Sequence, residues 1–157
     1  MSALPRPLLT LLEARAGFEM AEMLACLPWL SQAPRGDGHP VLLLPGFGAG
    51  DVSLEPLRAF LKSRNYHVET WGLGRNVGFN RKFAQVIEQK VRHLHHKHRR
   101  KVSLVGWSLG GVFAFYIAHV APECVRTAIS LGSPLRLDPD TQPPPGVKAM
   151  YRAVAHP

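Results

Sequence analysis

The chain has 157 residues, 46% hydrophobic and 19% charged, which is enough for one compact domain with its own core. No apolar run reaches the roughly 20 residues needed to cross a bilayer, so no transmembrane segment is expected. The formal charge of +8 would suit an acidic partner, but much of it sits in one segment, Arg92–Lys101, without interleaved aromatics for base stacking, and no nucleic-acid site is expected.

The first 40 residues read as a helix and a linker. Leu8, Leu11, Leu12, Met20, Met23, Leu24 and Leu27 give approximate helical spacing. Pro28 and the stretch Ser31–Pro40 are expected to end that helix in a loop. Glu13, Arg15, Glu19 and Glu22 break any signal-peptide core, which points to a cytoplasmic protein. Cys26 and Cys124 are too few for a disulfide framework and read as buried free thiols.

From residue 41 to 134 strands and helices alternate. Val41–Leu44 is a continuous apolar run, as in a strand buried on both faces. A turn, Pro45–Gly50, leads to a helix over Ser53–Arg64 with Leu54, Leu57, Phe60 and Leu61 on one face. Val68–Trp71 is a second strand, followed by the glycine-rich loop GLGRNVG and a long helix, Arg81–His98, with Phe83, Val86, Ile87, Val91 and Leu94 inward. The glycines of that loop miss the spacing of a dinucleotide fingerprint, though the loop is placed to reach a substrate. Val102–Val105 and Val125–Leu131 are the third and fourth strands, with a helix over Leu109–His119 between them. This alternation predicts an α/β fold, a mostly parallel sheet with helices on both faces. Residues 135–157, with three consecutive prolines, read as an irregular tail or the start of a cap.

The third strand runs into Gly106-Trp107-Ser108-Leu109-Gly110, the GxSxG pattern of a nucleophile elbow. A serine on a sharp strand-to-helix turn needs small neighbours, which the glycines provide. The helix behind it aims its positive end at the site, favouring developing negative charge. Acyl transfer also needs two N–H donors around the oxyanion. Leu109, after the serine, offers one; Phe47, in Pro45-Gly46-Phe47, is the choice for the other, with Gly48 second. Trp107 and Gly48 are candidates for contact with the substrate, and Trp107 and Phe47 could equally be core.

VLLLPGFG, VSLVGWSLGG and ISLGSP, spread from Val41 to Pro134, resemble the α/β-hydrolase superfamily, especially its lipase- and esterase-like members. The resemblance implies a serine hydrolase of carboxylic esters, a small-molecule acyl substrate, and neither metal nor organic cofactor. It further implies that the first strand is central, with the second on one side and the third and fourth on the other.

A triad also needs a base for Ser108 and an acid to orient it. His39 and His67 precede parallel strands and fall at the wrong end of the sheet; His93, His95, His96 and His98 close a helix running back to that end. His119 lies about 16 Å along a helix from Ser108. His156 is left as the candidate base, and Asp138, ahead of Asp140, as the candidate acid. Metal ligation by the histidine-basic run lacks a second ligand segment, and its bland reading, basic residues at a helix C-terminus, is preferred. The chain therefore reads as the nucleophile-bearing half of a longer hydrolase, or as a shortened product, with an exposed sheet edge that invites association. Two other functions fit the same residues: acyl transfer to an acceptor other than water, and a catalytically incomplete remnant kept for binding.

Overall fold

The structure is a computed structural model that describes residues 25, 26 and 28–133. Two compact units divide the chain, Met1–Arg35 and Gly36–Pro157.

In the first unit, residues 28–30 are helical and a turn follows at Ser31. Pro28 therefore does not end the helical backbone as expected: its fixed φ is itself compatible with a helix, and the turn waits for Ser31, whose hydroxyl donates to the Pro28 carbonyl at 2.6 Å. Cys26, expected to be buried, is exposed, as are Ala25, Pro28 and Trp29 beside it. An apolar stretch buries its side chains only where a second layer covers it. The rest of the expected helix, Leu8 to Leu24, lies outside the described residues.

The second unit is a four-stranded, wholly parallel sheet. Its strands are β1 (Pro40–Leu44), β2 (His67–Thr70), β3 (Val102–Trp107) and β4 (Val125–Leu131), in the order β2-β1-β3-β4. A 3-10 turn (Asp51–Leu54) and helix α1 (Glu55–Ser63) connect β1 to β2; α2 (Arg81–His98) and α3 (Leu109–Val120) supply the two later crossovers.

The two faces of β1 show how the layers form. Side chains alternate across a strand. Leu42 and Leu44 join Leu104, Ile87, Val91, Phe113 and Ile117 under α2 and α3, while Val41 and Leu43 pack with Leu54, Leu57, Leu61 and Val68 under α1. All five β1 residues are buried, as the unbroken apolar run demands.

Along α2 the buried stripe is Ala84, Ile87, Val91 and Leu94. Val86, expected inward, is 43% exposed, because it sits about 100° around the helix from Ile87. Asn80 caps α2 by accepting the Phe83 N–H at 2.8 Å, and Arg99 closes it in a left-handed conformation with φ 50°.

Candidate active site

The sheet order reverses between β1 and β3. The chain leaves β1 towards β2 on one side and returns to build β3 and β4 on the other. The loops after β1 and β3 consequently leave the same end of the sheet side by side, the position where open α/β sheets form a ligand crevice. The first carries Phe47 and the second Ser108.

Ser108 joins β3 to α3 with φ 51° and ψ −118°. Asn65 and Arg99 also have positive φ, but Arg99, with ψ 34°, lies in the ordinary left-handed well. Ser108 does not; such a conformation costs on the order of 1–3 kcal/mol and is held only by its surroundings. Those surroundings are visible. The Ser108 N–H donates to the Leu131 carbonyl at the end of β4, 2.8 Å away, and the Ser108 carbonyl accepts from the Gly111 N–H at 3.0 Å.

The elbow is tight because of two close approaches. A Cβ on Gly106 would stand 2.2 Å from the Gly110 backbone, and one on Gly110 would stand 2.1 Å from the Leu44 carbonyl oxygen. Glycine is needed at both for steric reasons alone.

The loop after β1 reaches the same place. A Cβ on Gly46 would come within 3.3 Å of both Ser108 Cβ and Trp107. The Gly48 N–H, the second choice as an anion donor, already donates to the Asn76 carbonyl at 2.7 Å. Among the described residues the Phe47 N–H has no such partner, and the Leu109 N–H opens a helix, where amides lack one by construction. Phe47 and Trp107 are 37% and 45% exposed, so each presents much of its ring to solvent beside Ser108. Val77 and Phe79, from the loop after β2, are also exposed.

Asp138 and His156 lie outside the described residues. Among the described residues no histidine or carboxylate is hydrogen-bonded to Ser108. The basic run keeps to the far end: the His98 ring sits 4.8 Å from that of His67, which begins β2. Burial, and next the neighbouring His67, hold the His98 imidazolium less favourable than usual. No three His, Cys, Asp or Glu side chains gather as metal ligands among the described residues.

A second polar array was not foreseen from the sequence. Just ahead of β1, His39 Nδ1 meets Asp37 Oδ1 at 2.5 Å, and its Nε2 meets Ser103 Oγ at 2.7 Å. With the hydrogen on Nδ1 facing the carboxylate, Nε2 accepts from the serine, the polarity found in a Ser-His-Asp triad; Arg126 Nη1, a donor 3.1 Å from the same Nδ1, suits the other tautomer, in which Nε2 donates to the serine. Asp37 is further gripped by Arg126 at 2.6 Å and Arg100 at 2.9 Å. The guanidinium of Arg126, and next His39, hold its carboxyl far below the usual carboxylate range. One signal for the array did stand in the sequence: Ser103 is a polar residue inside an otherwise apolar strand.

Residues 39–155 match the alpha/beta hydrolase fold family. The chain belongs to that family. This α/β-hydrolase is 31% identical over 107 residues to a pimeloyl-[acyl-carrier protein] methyl ester esterase of Citrobacter koseri, covering 67% of this chain and 40% of that protein. It is 32% identical over 111 residues to the human serine hydrolase BPHL (Homo sapiens), covering 65% of this chain and 38% of that protein. The chain thus spans about two fifths of the length of these curated relatives. Among solved structures, the mature lipase BlEst2 of Bacillus licheniformis superposes with a TM-score of 0.53 at 19% identity, over 66% of this chain and 44% of that one. A monoacylglycerol lipase of Paleococcus ferrophilus gives 0.52 at 19% identity, over 79% and 50%. At such identity these two attest the fold alone.

Proposed function

We propose that this α/β-hydrolase cleaves carboxylic esters of apolar acids through an acyl-enzyme on Ser108. The observation that carries the reading is the strained conformation of Ser108 at the mouth of β3, with a helix N-terminus directly behind it. Strain of this kind is retained where it aims a side chain. The esterase relative supports the same class of substrate.

In the proposed step Ser108 Oγ bonds to the acyl carbon as the carbonyl electron pair moves onto oxygen. The Phe47 and Leu109 N–H groups stabilise that oxyanion. The ester C–O bond then breaks, and the proton lost by Oγ leaves with the alcohol. His156 is the proposed carrier of that proton and Asp138 its proposed orienting acid. Water repeats the sequence to release the acid. Phe47, Trp107, Val77 and Phe79 are the proposed apolar walls for the acyl chain. Turnover of p-nitrophenyl esters of increasing acyl length tests this reading. Activity that rises with chain length and vanishes in Ser108→Ala is expected. Equal turnover by Ser108→Ala would overturn it.

The contact of Ser103 with His39 favours a second reading, in which Ser103 is the nucleophile. Three features weigh against it. Ser103 is 5% exposed, it sits within a strand paired on both sides, and no helix begins after it to offer free amides. A nucleophile without donors for its oxyanion forgoes the largest contribution to acyl-transfer catalysis. Under this reading Ser103→Ala would remove activity and Ser108→Ala would spare it.

A further inference from the structure

The loop GLGRNVG is not absorbed by the proposed chemistry, yet its asparagine is among the most fully enclosed residues of the chain. Asn76 is 0% exposed. All of its polar groups face inward, and three of the four bonds they make go to the loop after β1. Asn76 Nδ2 donates to the Pro45 carbonyl at 2.8 Å, its N–H donates to the Ala49 carbonyl at 2.8 Å, and its carbonyl accepts the Gly48 N–H at 2.7 Å. The fourth, from the Gly78 N–H to Asn76 Oδ1 at 3.1 Å, turns the loop back on itself. Around this clamp the loops touch through backbone: a Cβ on Gly50 would stand 3.1 Å from the Gly74 carbonyl oxygen, which also accepts from Trp71 Nε1 at 3.0 Å.

We propose that Asn76 is a positioning residue for acyl transfer, holding the Pro45–Gly50 loop so that the Phe47 N–H, and not that of Gly48, points at Ser108. The inference rests on the proposed role of Phe47. Its physical basis is the way the bonds divide. By taking the Gly48 N–H and filling the Pro45 carbonyl, Asn76 fixes the peptides that flank the Gly46–Phe47 peptide, whose carbonyl accepts from Ala49 N–H at 3.1 Å while its own N–H is left without a partner among the described residues. A buried amide side chain is suited to this because it donates and accepts at once; a carboxylate of the same size can only accept. Oxyanion donors act through preorganisation, so a loop that can rock loses stabilisation even though no donor is deleted. The same loop carries the exposed Val77, and Phe79, whose ring stacks on Phe113 at 4.8 Å and meets Tyr116 edge-on at 5.4 Å along α3.

Asn76→Asp is the informative substitution. It keeps the backbone bonds and the acceptor for Gly78, and removes the bond to Pro45. Two readouts are taken on the full chain. The first is inactivation by a fluorophosphonate, resolved into the limiting rate and the half-saturating concentration. The limiting rate is expected to fall about 10- to 100-fold in Asn76→Asp and Asn76→Ala, with the half-saturating concentration nearly unchanged. Ile87→Val, which removes one methyl group from the core under α2, is expected to leave both unchanged, so a general loss of stability is told apart from mispositioning. The second readout is amide hydrogen exchange at Gly48, expected to speed up in Asn76→Asp but not in Ile87→Val. Gly48 exchange and limiting rate that match the parent chain in Asn76→Asp would overturn the proposal. If the parent chain does not react at Ser108, the esterase reading fails. The exchange result then decides the positioning role by itself: acceleration upholds the clamp and no change removes it.

Discussion

At the scale of single residues, polar side chains are held where chemistry or anchoring needs them. Asp37 shows the anchoring case. Its carboxyl titrates far below its ordinary value of about 3.9 because the ionised form is held by Arg126 and next by His39. A carboxylate with a depressed native pKa contributes stability that is present above the unfolded value and lost as pH falls towards the native one. The thermal midpoint is therefore expected to drop from about pH 5 to pH 2 more steeply in the parent chain than in Asp37→Asn. Because Asp37 is partly exposed, added salt should shrink that difference. Identical acid limbs for the two proteins would remove Asp37 from the account. The cysteines give a second expectation. Burial, reinforced by Glu123, pushes the Cys124 thiol up from its usual value, and Cys26 is exposed. Iodoacetamide at neutral pH is expected to modify Cys26 first, and peptide mapping would detect the reverse order.

At the scale of elements, the strand-turn-helix of β3 and α3 depends on backbone contact. Gly110→Ala would force a methyl against the Leu44 carbonyl oxygen, where only backbone can give way. Overpacking typically costs about 1–3 kcal/mol, and the rigid partner here places the loss at the upper end. Urea unfolding should show it, and a change below about 1 kcal/mol would mean that the turn is looser than described. Several of these elements were legible from the sequence. α2 and β4 have the limits that periodicity and apolar composition imply, since a capping asparagine, a long stripe and a run of β-branched residues all agree. The elbow was legible for the same reason: GxSxG between an apolar strand and an apolar helix is a steric requirement written in residue types. The Asn76 clamp and the Asp37–His39–Ser103 array were not. The Asn76 bond to Pro45 spans 31 positions and the His39 bond to Ser103 spans 64, and no local pattern encodes such a meeting. The 3-10 turn ahead of α1 is not separable from the helix by periodicity, because both repeat closely enough to share an apolar face.

At the scale of the whole molecule, the sheet ends on β4, which pairs only with β3 among the described residues. Val105 is half-covered by the α1 layer, but its register partner Ile129 is 45% exposed, and Leu131, two residues on along the same face, is 42% exposed. A strand edge with apolar side chains is a template for another chain. Concentration-dependent association is expected, and Ile129→Lys should weaken it in sedimentation velocity while leaving the far-ultraviolet circular dichroism unchanged. Association that is indifferent to Ile129→Lys would place the contact elsewhere. The matched region covers about two fifths of these relatives, which carry further chain beyond it.

The central claim is that Ser108, held in its strained turn, is the nucleophile. Intact-mass analysis with peptide mapping after fluorophosphonate treatment of the parent chain, Ser108→Ala and Ser103→Ala tests it most directly. One adduct is expected, mapped to Ser108, absent from Ser108→Ala and retained in Ser103→Ala. An adduct on Ser103, or none on the folded parent chain, would contradict it.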